Sequence, residues 1–302
     1  MKMRKTMLRV LLAVVGAFWM ASGSVQAAEK LKPFVLAAEE SGDLATVVES
    51  VKGKLSAAGF EIAGDYAPYP GARAIAITSN ALKGVAAKSK RGGFGAVIRV
   101  GVTQVGDKIQ VAYANPPYWA AAFRLKGDLR DVAEKLASTL GKIRDFGSKK
   151  GLTEKKLRKY HYKVMMPYFD DPYELGEFGS HDEAVAKVEE GLSKGAGGTG
   201  KVYRVDIPGA DMTLFGVALS GAKHECSGDK YIMDYIDFSD TKHTPHLPYE
   251  VLVDGKEVVA LHAKFRIAIS FPDLSMMGKN SFMSIMCAPG AIEEALEEMV
   301  GK

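Results

Sequence analysis

The sequence predicts an α+β fold made of two tandem copies of an antiparallel sheet with helices packed on it. Three observations carry that expectation. Apolar residues recur at helical spacing in segments such as 44–57. Tight glycine turns, Gly106-Asp107 and Asp254-Gly255, join pairs of β-rich segments as hairpins. The order of segments in the first half then returns in the second, which is the mark of an internal repeat.

In the first half, Phe34-Val35-Leu36 is an extended apolar opening. Leu44, Val47, Val48, Val51 and Leu55 fall on one face of a helix over 44–57, which Gly59 ends. Residues 60–66 and 72–78 have strand composition, a loop rich in Gly and Lys runs to Gly93, and 96–103 with 108–114 form the hairpin. Asn115-Pro116-Pro117 breaks the ladder, because proline has no N–H to donate. A helix over 129–140, N-capped by Asp128, closes this copy.

The second half repeats the pattern. Residues 162–166 are the opening strand, and Ser180-His181-Asp182-Glu183 reads as a capping box for a helix to Leu192. After a glycine-rich stretch come strands 202–207 and 213–219, a hairpin of 249–253 with 258–262, an apolar strand over 265–271 broken by Pro272, and a helix over 291–300 with Pro289 in its first turn. Aligning the hairpin turns and aligning the proline breaks give different registers, so the second copy holds an insertion. The resulting division is a leader over 1–27, a first copy over 28–147, a basic linker over 148–160 and a second copy over 161–302.

The leader reading rests on composition. Lys2, Arg4, Lys5 and Arg9 precede an uncharged apolar run over 10–20, too short at about 1.5 Å per residue to span a hydrocarbon core of about 30 Å. Val25-Gln26-Ala27 offers a signal-peptidase site, so the protein is expected to be cut after Ala27 and to work as a soluble periplasmic protein. No later run approaches a membrane span. Removing those four basic residues takes Lys plus Arg from 40 to 36, equal to the 36 Asp plus Glu. A neutral chain lacks the long-range attraction to phosphate backbones, which argues against a nucleic-acid partner. Residues 142–159 still carry eight Lys or Arg against two acids. They read either as a patch for anionic lipid headgroups or as a solvated linker offset by Asp170, Asp171, Glu174 and Glu177.

The run Val111-Ala112-Tyr113-Ala114-Asn115-Pro116-Pro117-Tyr118 resembles the end of a bacterial domain-of-unknown-function family, number 302. The helix leading to Gly59-Phe60-Glu61 and the segment Leu247-Pro248-Tyr249-Glu250-Val251-Leu252-Val253 are similar to parts of the same family, whereas its middle Gly-Asn-Pro segment is not evident in either half. The resemblance implies an α+β domain with an antiparallel sheet, here in tandem, and no particular activity.

Few residues announce chemistry. The glycines over 195–200 follow a helix and precede a strand, the reverse of a phosphate-binding loop, and read as a flexible connection. Ser270 and Ser275 have no assigned base and no nucleophile elbow. Cys226 and Cys287, the two cysteines of the chain, suit a structural disulfide in an oxidising compartment. Cys287 also stands before a helix start, where a thiolate is favoured for redox or metal work. No Cys-x-x-Cys pair supports a thioredoxin-like enzyme or covalent haem. All six histidines follow Lys159, and His224-x-Cys226 with His243-x-x-His246 form a candidate metal set for copper, zinc or haem iron. The sequence therefore favours a periplasmic small-ligand or metal-binding module with its site in the second copy. Two alternatives stand beside it: a thiol-dependent redox enzyme or hydrolase, and a disulfide-stapled structural or partner-binding module.

Overall fold

A computed structural model describes residues 28–302; the leader expected over residues 1–27 lies outside them. The first half runs β1 (Phe34–Glu40), α1 (Leu44–Ala57), β2 (Glu61–Tyr66), β3 (Ala72–Thr78), α2 (Asn80–Ala86), β4 (Ile98–Val105), β5 (Lys108–Ala114), α3 (Pro116–Ala122), α4 (Arg130–Leu140) and β6 (Arg144–Phe146). The second runs α5 (Glu154–Leu157), β7 (Tyr173–Glu177), α6 (His181–Lys194), β8 (Thr199–Ile207), β9 (Met212–Leu219), α7 (Asp229–Ile236), β10 (Tyr249–Asp254), β11 (Glu257–Ala260), α8 (Ala263–Ser270) and α9 (Ala288–Met299). Local chemistry sets these boundaries. Asp43 accepts the Thr46 N–H at 2.9 Å to start α1, whose buried face is Val47, Val48, Val51 and Leu55. Ser180 accepts the Glu183 N–H at 3.2 Å to start α6, while the Glu183 carboxylate reaches back to the Gly179 N–H.

The fold is α+β with two antiparallel sheets, ordered β2-β3-β4-β5-β1-β6 and β7-β11-β10-β9-β8. Without β6 the orders are the same, β2-β3-β4-β5-β1 matching β8-β9-β10-β11-β7. Bulges mark the register. One at Ala63 in β2 has its counterpart at Val202 in β8, so Gly64, Ala76 and Arg99 across one sheet match Tyr203, Gly216 and Glu250 across the other. The insertion lies between β9 and β10: Gly216 to Glu250 is eleven residues longer than Ala76 to Arg99. The β10–β11 hairpin is shorter, with strands of 6 and 4 residues against 8 and 7 in β4 and β5. Turns and proline breaks give different registers because the breaks are not equivalent: Pro116 opens α3, whereas Phe271-Pro272 follows the end of α8.

The halves interlock. β2 lies beside β8, the turn Gly92–Gly95 packs on β9 and β10, and the turn Thr244–His246 packs on β3, β4 and β5. Two glycines permit this exchange. A Cβ on Gly93 would lie 2.3 Å from Leu252 Cδ1, and one on Gly101 would lie 2.7 Å from Thr244 Cβ. A single hydrophobic cluster draws on both halves. At its centre Arg99 pairs with Glu250 at 2.5 Å, Tyr203 donates to the same carboxylate at 2.7 Å, and Arg99 stacks over Trp119.

Several expectations change at this level. Residues 148–160 form a packed strap rather than a free linker: Leu31 and Leu152 exchange backbone hydrogen bonds at 2.8 Å, Leu157 and Tyr160 are buried, and the Tyr160 hydroxyl donates to the Ala268 carbonyl. The opening strand of the second half is β7, not 162–166. Residues 265–271 belong mostly to α8, which is buried from Phe265 to Ser270 and so shows a continuous apolar run instead of a helical period. The Pro116-Pro117 pair that ends the β5 ladder also begins α3, where a missing N–H costs nothing. The glycine run over 195–200 is no loose connection, because a Cβ on Gly197 would lie 2.1 Å from the Ala295 carbonyl oxygen of α9.

Candidate functional site

The longer β9–β10 connection builds the most functional-looking corner of the molecule. After α7 the chain loops through residues 237–243, and Asp237 closes that loop on itself. Its carboxylate accepts the His243 backbone N–H at 2.8 Å and meets His243 Nδ1 at 2.7 Å. Side chains of the first half pin the same loop: Gln110 of β5 donates to the Asp240 carbonyl and accepts the Lys242 N–H, and Arg144 of β6 donates to Thr241 Oγ1 at 2.6 Å. The imidazole of His243 is clamped between the rings of Phe34, Phe146 and Phe271, at centroid distances of 5.4, 5.2 and 4.6 Å.

With Nδ1 held by a carboxylate, the imidazole presents Nε2 as its working atom. That nitrogen makes no hydrogen bond among the described residues, and the space beside it is kept open by Gly147, whose added Cβ would lie 3.4 Å away. His243 lines a cleft of about 520 Å³ together with Lys32, Arg144, Ser148, Lys149 and Asp273. A second cleft of about 710 Å³ shares Ser148, Asp273 and Leu274 with the first, and adds Lys30, Lys150, Lys156, His161 and Lys163. The two form one groove whose basic side chains outnumber its acids. One of those acids, Asp145, is paired with Lys142 at 2.9 Å, and another, Asp273, accepts the Lys149 N–H. The groove takes residues from both halves.

The four residues expected to bind a metal are not brought together. His224 is on the surface, 2.9 Å from Glu294. Cys226 sits half-buried in the turn Glu225–Ser227, and His243 belongs to the Asp237 pair. His246 is buried, its Nε2 accepting from Arg266 at 3.1 Å and its Nδ1 2.8 Å from Ser270 Oγ. Among the described residues, no three His, Cys, Asp or Glu side chains are arranged to hold a metal ion. The expected disulfide is also absent, as Cys226 and Cys287 are free thiols.

Ser270 and His246 look like half of a hydrolase triad, but the protons are in the wrong places. A guanidinium only donates, so Arg266 fixes His246 Nε2 as the acceptor and Nδ1 as the protonated nitrogen, which then donates to Ser270. Burial, with Arg266 and Arg99 beside it, also holds this imidazole well below its ordinary pKa. A neutral imidazole donating to a fully buried serine cannot serve as its base. Ser275, for its part, donates to the Met277 carbonyl. Sequence reasoning missed Asp237 and the first-half wall of the groove. The basic run 142–159 was the signal that pointed to it. No family model, curated protein or solved structure matches this chain.

Proposed function

We propose that this is an exported binding protein that takes a small acidic molecule in the groove between its halves, with His243 at the inner end. The observation that carries the reading is the Asp237–His243 pair, clamped by three phenylalanines and open at Nε2, in a groove lined by Lys32, Arg144, Lys149, Lys156 and Lys163. With Nδ1 donating to Asp237, the ring as an imidazolium donates from Nε2 to a carboxylate or phosphate oxygen, and the surrounding cations supply the field that draws an anion in. A groove of this size, shared between two packed halves, is a usual place for a small ligand. Export is supported by the composition of residues 1–27, and the tandem arrangement by the matching strand orders. Among the described residues no helix is long and apolar enough to cross a membrane.

The same pair favours a second reading, an enzyme using His243 as a general base, since a carboxylate on Nδ1 orients an imidazole for that task. Calorimetric titration with inorganic phosphate, citrate and malonate separates the outcomes. Binding that weakens about tenfold or more in His243→Ala and in Lys156→Ala/Lys163→Ala supports the binding reading. Heat from none of the three probes, or equal heat with the variants, would sink it. Turnover of ester or phosphoester analogues, abolished in His243→Ala, would instead establish the enzyme.

A further inference from the structure

The second cleft of the groove, the one that holds Lys30, Lys150, Lys156 and Lys163, ends at a projecting turn. Met166 closes that turn by donating its N–H to the Lys163 carbonyl at 3.0 Å, which leaves Val164 and Met165 at the corner, 87% and 94% exposed. Met165 sits there at φ +67°, a left-handed backbone that favours glycine. The turn is braced rather than loose. His161 Nε2 donates to the Met166 carbonyl at 2.8 Å, and its ring stacks on Tyr168 at 4.2 Å. Tyr162, just before the turn, donates its hydroxyl to the Leu274 carbonyl and packs its ring 5.1 Å from Phe282. Those contacts tie the turn to a second exposed loop. There Met276 lines the same cleft as Lys163, Met277 after it is exposed, and the exposed Met283 donates its N–H to the Met276 carbonyl at 3.2 Å.

We propose that this rim is a peripheral docking surface for a bilayer rich in anionic phospholipid, with Val164 and Met165 entering the headgroup region and the lysines meeting the phosphates. Charge complementarity selects that partner. Lys150, Lys156 and Lys163 have no carboxylate partner among the described residues, whereas Lys142 and Arg158 of the same basic stretch are paired with Asp145 and Glu154. Each unpaired lysine near a negative membrane surface adds attraction, and apolar tips that enter the interface add to it. The acids nearby are engaged: Asp273, which lines the same cleft, accepts the Lys149 N–H, and Asp170 is paired with Arg124. Exposed apolar residues scattered singly are ordinary, but these stand together beside unpaired lysines. A protein partner fits less well, since protein interfaces are depleted of lysine. The surface stands on the rim of the groove and makes no use of His243.

The test is co-sedimentation of the chain over 28–302 with vesicles of phosphatidylglycerol and phosphatidylcholine at about 3:7, against vesicles of phosphatidylcholine alone. Binding should be confined to the anionic vesicles and should fall steeply between about 0.1 M and about 0.5 M salt. Val164→Ser/Met165→Ser should weaken it about tenfold and Lys150→Ala/Lys156→Ala/Lys163→Ala about a hundredfold, with Tm as in the parent. Met165→Gly separates docking from folding, because it should weaken vesicle binding while holding or raising Tm. His243→Ala should bind vesicles as the parent does, and Val164→Ser/Met165→Ser should bind inorganic phosphate as the parent does, so docking and the groove fail separately. No sedimentation with the anionic vesicles, equal sedimentation with both kinds, or binding unchanged in Val164→Ser/Met165→Ser would overturn the proposal. So would a dimer in analytical ultracentrifugation that the same double variant dissolves, which would assign this face to a second copy of the chain.

Discussion

Asp229 opens α7 inside the protein, and burial raises its carboxyl to about 6 despite the Tyr66 hydroxyl at 2.7 Å, the Leu219 N–H and the charge of Arg266. In the unfolded chain the same group titrates near 3.8. Between those values the folded state holds a proton that the unfolded state has lost. The stability Asp229 contributes is therefore complete below about pH 4 and lost as pH rises through 6, a change of about 3 kcal/mol. Denaturant melts at pH 4, 5, 6 and 7 should show this slope in the parent and its absence in Asp229→Asn. Arg99 and Glu250 pose a related case. Arg99→Met strands a buried carboxylate and is expected to cost about 3–5 kcal/mol, while Arg99→Met/Glu250→Met should recover most of it, read as denaturation midpoints. Neither pairing was legible in the sequence. The partners lie far apart along the chain, and a lone Asp or Glu in an apolar context gives no hint of what it will face.

At the level of elements, the exchanged turns Gly92–Gly95 and Thr244–His246 do most to fix how the halves meet. Gly101 is the test position, since a side chain there must displace Thr244 and Pro245 from β4. Gly101→Val should destabilise by about 1–3 kcal/mol through overpacking, and should weaken anion binding as well, because the turn follows directly on His243. Gly53, in the middle of α1 with nothing within 4 Å of its would-be Cβ, is the contrasting case. Gly53→Ala should raise stability by about 0.5–1 kcal/mol, measured as a shift in Tm. Elements with one solvated face, such as α1 and α6, were readable because burial on one side leaves a period in the sequence. α8 was not, since it is buried without a break from Phe265 to Ser270. The Asp237–His243 loop was also hidden, because it sits in the insertion, where the repeat offers no template.

In the whole molecule the repeat was legible and the interlocking was not, for strand order is written locally while packing between halves is not. The shared core makes the halves poor candidates for independent folding. Residues 28–147 expressed alone should be largely unfolded by circular dichroism and should fold on mixing with 161–302. Trypsin should cut first after Lys163, beside the exposed Val164 and Met165, and only later within 148–160, whose Leu152 and Tyr160 are tied down. The ion pair at the centre has a consequence for evolution as much as for stability. Arg99 and Glu250 occupy equivalent positions in the two sheets, so a pairing of two first halves would press guanidinium against guanidinium, and one of two second halves carboxylate against carboxylate. Like mating types, each half accepts only its opposite. Neighbouring molecules that open can therefore trade halves, but neither half can assemble with its own kind, and an ancestor with one identical residue at both positions had to diverge before this buried contact could close.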